Sequence, residues 1–380
     1  MILLAIVLVV GAALGLGAGG RTAPTSPEPT VVASVGATSS ASGAPTASGS
    51  ATASDSASPT SSAPAGPAVT WTRLSPAGVA PTARRDATWT VDPSSEIAYL
   101  YGGTTGLQDQ RGDALGDLWA YDLAADTWEP VVGTSDEPGP RFGHVAAWVE
   151  DVGLVVIGGH DGQGHLLNDA WTFDPGTGVW TKLRTTGTTA PARFDACGAA
   201  PGDGTVWLSH GSTIDGLLAD TWRLDVGAKR WAKVTTGSAP SRRSRATCWI
   251  DAAGRFVLYA GATSSGIAAD TWAASVGSGD GRWRRLAASG PFGARAGAAV
   301  TVHLDRAIVV GGVAGGGPLA MTGTMGATDT TITPLAADGD PTPGRSDAML
   351  VDDPAGERTL LFGGASNDAV LDDLWSAEFR

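Results

Sequence analysis

The sequence has few of the side chains that enzyme chemistry draws on. It contains five histidines, at positions 144, 160, 165, 210 and 303, and their spacing sets up no zinc or iron ligand group. There are four tyrosines, three of them clustered as Tyr99, Tyr101 and Tyr121, and two cysteines, Cys197 and Cys248. No nucleophile elbow, phosphate-binding loop or dinucleotide fingerprint occurs. Positive charge is also short: 25 Lys and Arg stand against 38 Asp and Glu, a formal net charge of −13. That balance works against nucleic acid or an anionic membrane surface as a partner. No cofactor and no metal are expected, and nothing in the sequence speaks positively for catalysis.

The chain opens with Met1-Ile-Leu-Leu-Ala-Ile-Val-Leu-Val-Val10 and stays apolar or glycine-rich to Gly20. As a helix, such a run spans roughly 30 Å, enough for a hydrocarbon core. No basic residue precedes it; the first charge, Arg21, lies on its far side. Residues 1–20 therefore read as an N-terminal apolar helix, either a signal anchor or a signal peptide. No cysteine near residue 20 supports a lipoprotein anchor. Residues 21–67 are almost entirely Ala, Ser, Thr, Pro and Gly, and carry only Arg21, Glu28 and Asp55 as charges. Such a composition cannot bury enough apolar surface to offset chain entropy, so a disordered stalk is expected. An apolar segment followed by a stalk places residues 68–380 outside the cytoplasm, tethered to the cell membrane, or secreted if the segment is cleaved.

From residue 68 onward the sequence repeats. Arg84, Arg141, Arg193, Arg243, Arg295 and Arg345 are separated by 57, 52, 50, 52 and 50 residues. A double glycine recurs as Gly102-Gly103, Gly158-Gly159, Gly311-Gly312 and Gly363-Gly364, with weaker forms at His210-Gly211 and Ala260-Gly261. An acidic-x-Trp signal follows at Asp117/Trp119, Asp169/Trp171, Asp220/Trp222, Asp270/Trp272 and Asp373/Trp375. Second tryptophans come at Trp128, Trp180, Trp231 and Trp283. Within the unit from Pro140 to Leu183, Gly, Pro, Asp and Asn clusters divide four short strands, at about 142–149, 152–158, 169–174 and 179–184. The tryptophans suit plates buried between neighbouring sheets.

This series resembles the kelch repeat, over essentially all of residues 68–380. The resemblance implies an all-β, six-bladed kelch-type β-propeller, related to the central domain of galactose-oxidase-like proteins. Unit six stops at Arg380 without a closing tryptophan strand, whereas Val69-Thr-Trp71-Thr-Arg-Leu74 matches Trp180-Thr-Lys-Leu183 and has no other home. The strand at 69–74 is therefore expected to complete the last blade. Unit five departs most: Met325 is read at the first tryptophan position, Ile332 at the second, and Gly315-Gly316-Gly317 lengthens the preceding loop. Either this blade has drifted, or its loop and outer strands contact something.

In some kelch domains arginines at the start of each blade line the central pocket. By resemblance, Arg84, Arg141, Arg193, Arg243, Arg295 and Arg345 form the candidate binding ring, their guanidinium forks suited to carboxylate or phosphate. The opposing reading is that each arginine holds neighbouring structure together. The loops after the double glycine share that face, and add Asp109, Arg111 and Asp113 from unit one and His160, Asp161 and His165 from unit two. A copper radical oxidase of this superfamily needs tyrosine, cysteine and histidine ligands together, which this sequence does not supply. Cys197 and Cys248 fall four and five residues after their arginines, an offset that aims them at opposite sides of their strands. They are read as two buried thiols, although a disulfide is chemically permitted outside the cell. The functional expectation is a monomeric module binding a protein or a glycan through the arginine face. The alternatives are a carbohydrate-active enzyme, mutarotase-, epimerase- or oxidase-like, and a structural cell-envelope protein.

Overall fold

A computed structural model of the chain describes residues 67–107, 113–134, 136–234, 237–276, 281–339 and 342–380. The expected N-terminal helix and almost all of the stalk lie outside these residues. No helix long and apolar enough to cross a membrane occurs among those described. Every regular element among them is a β-strand, arranged as a six-bladed propeller.

Each blade is an antiparallel meander of the kind the turn signals set up. In blade 2, Val145–Val149 pairs with Gly153–His160, which pairs with Leu166–Asp174, which pairs with Val179–Lys182. The second and third strands run on past the double glycine, with a break in register between Ile157 and Gly159. Gly159 has φ of 102°, and a Cβ there would meet the Phe142 carbonyl oxygen at 2.9 Å. Glycine thus answers both a left-handed backbone and a close approach.

Six hydrophobic clusters fill the six gaps between neighbouring blades. In four of them the second tryptophan of a blade packs back on the preceding blade: Trp128, Trp180, Trp231 and Trp283 are 3–4 % exposed. Ile332 takes that place in blade 5 and Trp71 in blade 6. No blade covers both of its faces alone, so the stability of each depends on its neighbours.

The N-terminal strand Ala68–Leu74 lies antiparallel to Leu374–Phe379, from Val69↔Phe379 to Leu74↔Leu374. The first and last strands of the ring therefore share the blade 6 sheet. Its other edge pairs in parallel with Ala336–Gly339, the segment leaving blade 5, so the strand is interior to a five-stranded sheet.

Two sequence expectations are corrected here. In blade 5, Val310 pairs with Thr322 and the Gly311 amide donates to the Met321 carbonyl, as Gly102 donates to Asp117 and Gly363 to Asp373. Met321-Thr322-Gly323 therefore occupies the acidic-x-Trp position, and Met325 stands where blade 1 has Tyr121. Cys197 and Cys248 are not thiols but a disulfide joining the inner strands of blades 3 and 4, with a Cα–Cα distance of 5.5 Å. The offset does aim them at opposite faces: Cys197 sits with Trp207 on the face toward blade 4, and Cys248 with Phe256 and Leu258 on the face toward blade 3. Opposite faces of adjacent blades look at each other, so the offset brings the sulfurs together.

Candidate functional site

The leading arginines are structural parts of the blades. All six are at most 2 % exposed, so the ring of free guanidinium groups expected at the mouth is not there. In five blades the fork is closed by the aspartate of the acidic-x-Trp signal: Arg84 on Asp117, Arg141 on Asp169, Arg193 on Asp220, Arg243 on Asp270 and Arg345 on Asp373, at 2.7–2.9 Å for the shorter contact. Nη1 of each also donates to the carbonyl of the first residue of the double-glycine position, such as Gly102 or His210. The indole N–H of the paired tryptophan donates to the same carboxylate. Burial pushes these aspartates upward, but the arginine and indole hydrogen bonds outweigh it and hold each below the usual carboxylate range. While the side chain clamps its own blade, the main chain holds the next. The second glycine of every blade donates to the carbonyl of the following blade's arginine at 2.8–2.9 Å, and Gly364 closes the series on Arg84.

Two residues beyond each arginine, the chain reaches the axis. Asp86, Gly143, Asp195, Arg245, Gly297 and Asp347 all have φ between 52° and 65°. Each donates its amide to the carbonyl of the equivalent residue in the preceding blade at 2.7–3.0 Å, forming a closed circle of six hydrogen bonds. The side chains on this circle converge. Arg245 binds Asp347 through Nε at 3.0 Å and through Nη2, and Arg85 pairs with Asp86. The two glycines make room for the acids: a Cβ on Gly143 would meet Asp195 Oδ1 at 2.6 Å, and one on Gly297 would meet Asp347 Oδ1 at 2.1 Å. Burial and the neighbouring Asp347 raise Asp86 to about 8, and burial raises Asp195 to about 6. Burial also works on Asp347, but Arg245 and Arg85 hold it below its ordinary value. Sequence reasoning missed this constellation, although its constant offset from the arginines was available.

The other candidate residues divide. Asp109 and Arg111 lie outside the described residues. Asp113 is exposed, and its main chain is tied to Thr105. Asp161 accepts the amides of Gln163 and His165 and pairs with the His165 ring at 2.6 Å, so these residues shape their own turn. His160 is half-buried between Phe142 and Phe194, at ring separations of 4.9 and 5.8 Å, and burial lowers its pKa. Phe142 and Phe194 directly follow Arg141 and Arg193; Arg85 holds the same position in blade 1. The structure thus assembles a partly exposed aromatic trio on blades 2 and 3, beside the axial acids. No group of three or more His, Cys, Asp or Glu side chains placed to hold a metal occurs among the described residues.

Comparison with known proteins agrees with this architecture. The family described as the KLHDC2/KLHL20/DRC7 Kelch-repeats domain matches residues 67–250. The globular part of the chain is a kelch-repeat β-propeller, a class that in general binds proteins. The chain is 32% identical over 193 residues to serine/threonine-protein phosphatase BSL2 of Arabidopsis thaliana, covering 48% of this chain and 18% of the relative. It is 30% identical over 200 residues to acyl-CoA-binding domain-containing protein 4 of Arabidopsis thaliana, covering 50% and 28%. Over 73 residues it is 45% identical to multiple epidermal growth factor-like domains protein 8 of Homo sapiens, covering 19% and 2%. The chain spans less than a third of the length of each of these relatives.

Proposed function

We propose that this chain is an extracytoplasmic, membrane-tethered propeller that binds a protein partner through the face carrying Arg85, Phe142, His160 and Phe194. The observation that supports it is the aromatic trio. Large rings left partly exposed on a rigid frame, beside a charged axis, suit a partner's anchor residue. The location rests on the apolar residues 1–20, the stalk composition of residues 21–67, and a disulfide that persists in oxidising compartments. The test is capture of envelope proteins by the full chain, with the Phe142→Ala/Phe194→Ala double variant beside it. A partner bound at least about tenfold more weakly by the double variant supports this face. Equal capture by both chains refutes it. A glycan array run in parallel decides whether the ligand is carbohydrate instead.

A second reading, carbohydrate-active chemistry at the axis, is favoured by the convergence of Asp86, Asp195 and Asp347. One of these carboxyls is raised to about 8 while Asp347 is held ionised. Turnover of a sugar that Asp86→Asn abolishes without unfolding the chain would establish it.

A further inference from the structure

Blade 5 keeps the arginine of the clamp and lacks the rest of it. In the other five blades the arginine is at most 2 % exposed while the side chain of its aspartate is 9–41 % exposed, so the carboxylate stands between the guanidinium and water. Met321 holds that position in blade 5 and is 39 % exposed, with Sδ 3.9 Å from Arg295 Nη2. Gly323 replaces the tryptophan, and the vacated space is taken by Phe292 and Ile332. The Arg295 guanidinium lies 3.4 Å from the Phe292 ring centre. Nη1 donates to Gly311 O and Nη2 to Phe292 O, but buried Nε has no partner, whereas Nε of each other leading arginine donates to a carbonyl two residues upstream. The carbonyl two residues upstream here, Gly293 O, accepts the Tyr259 hydroxyl instead. No carboxylate reaches Arg295 among the described residues, and burial pulls its pKa below the ordinary value.

A buried cation without a counter-charge is costly, and a ring face offsets only part of that cost. We infer that Arg295 is a receptor for a carboxylate supplied from outside the chain, seated where Asp117, Asp169, Asp220, Asp270 and Asp373 sit in the other blades. Met321 is the cover of this site. Its unbranched thioether side chain turns aside at small cost, and a planar carboxylate then meets the guanidinium fork. The loop leading to Met321 brings no charge of its own, because residues 314–321 read Ala-Gly-Gly-Gly-Pro-Leu-Ala-Met. The site is distinct from the aromatic trio on blades 2 and 3, so either can stand without the other.

The test compares the full wild-type chain with Met321→Asp and Met321→Ala. Melting is followed in sodium acetate against sodium chloride at matched ionic strength. Titrations use a glutamate-rich peptide with an amidated C-terminus and an uncharged peptide with a free one, which separates a side-chain carboxylate from a terminal one. Acetate and one of the peptides are expected to stabilise or bind the wild type and Met321→Ala. Met321→Asp, supplying its own carboxylate, is expected to melt higher and to lose at least about tenfold in peptide affinity. A wild type indifferent to every carboxylate, or a Met321→Asp variant that responds as the wild type does, overturns the inference.

Discussion

Replacing Trp71 by alanine measures ring closure most directly. Trp71 is 3 % exposed and packs in the cluster between blades 5 and 6 with Ile308, Val310, Leu361 and Trp375. Its indole N–H donates to Thr322 Oγ1 at 3.2 Å, so alanine leaves both a void and an unpaired hydroxyl. Truncating a buried tryptophan costs about 3–5 kcal/mol. Against the 5–15 kcal/mol or so that holds a typical native state together, this is a large share. The assay is urea unfolding by circular dichroism, comparing midpoints at constant slope so that the shift reports stability. Thr72→Ala, at the exposed next position of the same strand, is the control and should change stability by no more than about 0.5 kcal/mol. If Trp71→Ala falls within about 1 kcal/mol of wild type, the strand does not close the ring in solution. Deleting residues 68–75 should go further, giving an aggregated or unfolded product, because it opens the Leu374–Phe379 edge.

Two further predictions concern the axis and the disulfide. The folded pKa of Asp86, about 8, lies above its ordinary 3.8. Its stabilising contribution is therefore full below about pH 4 and is lost as the pH rises through 8. Asp86→Asn should flatten the decline in stability across that window, and an unchanged slope in denaturation series at several pH values would contradict the assignment. The Cys197–Cys248 bridge closes a segment with a sequence separation of 51, which corresponds to about 4 kcal/mol of loop entropy. The double serine variant should unfold at correspondingly lower denaturant. Alkylation of both sulfurs in the untreated native chain would show that the bond is absent.

The blade count was legible because its signals recur at a nearly constant interval, and a period survives local variation. The arginine clamp was only half legible. The aspartates were visible, but as part of an aromatic signature; Arg84 and Asp117 are 33 residues apart, and only the meander shows that one neutralises the other. The cysteine offset was read correctly on each strand and misjudged across strands, because facing sheets invert the meaning of a side. In blade 5 the ladder moved the match by two residues on each side of the signature, from Met325 to Gly323 for the tryptophan, and this exposed Met321 as the stand-in for an acid. The axial circle was passed over because its members carry different side chains and share only their place two residues after each arginine and a left-handed backbone.

The place of the disulfide gives the propeller a mechanical polarity. The junction between blades 3 and 4 lies half a turn from the junction between blades 6 and 1, and the covalent strut occupies the first of these. The chain leading back toward the N-terminus leaves directly from the strand beginning at Ala68. A pull on the chain ahead of Ala68 would act first on the pairing of that strand with Leu374–Phe379, while the disulfide half a turn away keeps blades 3 and 4 fastened to each other.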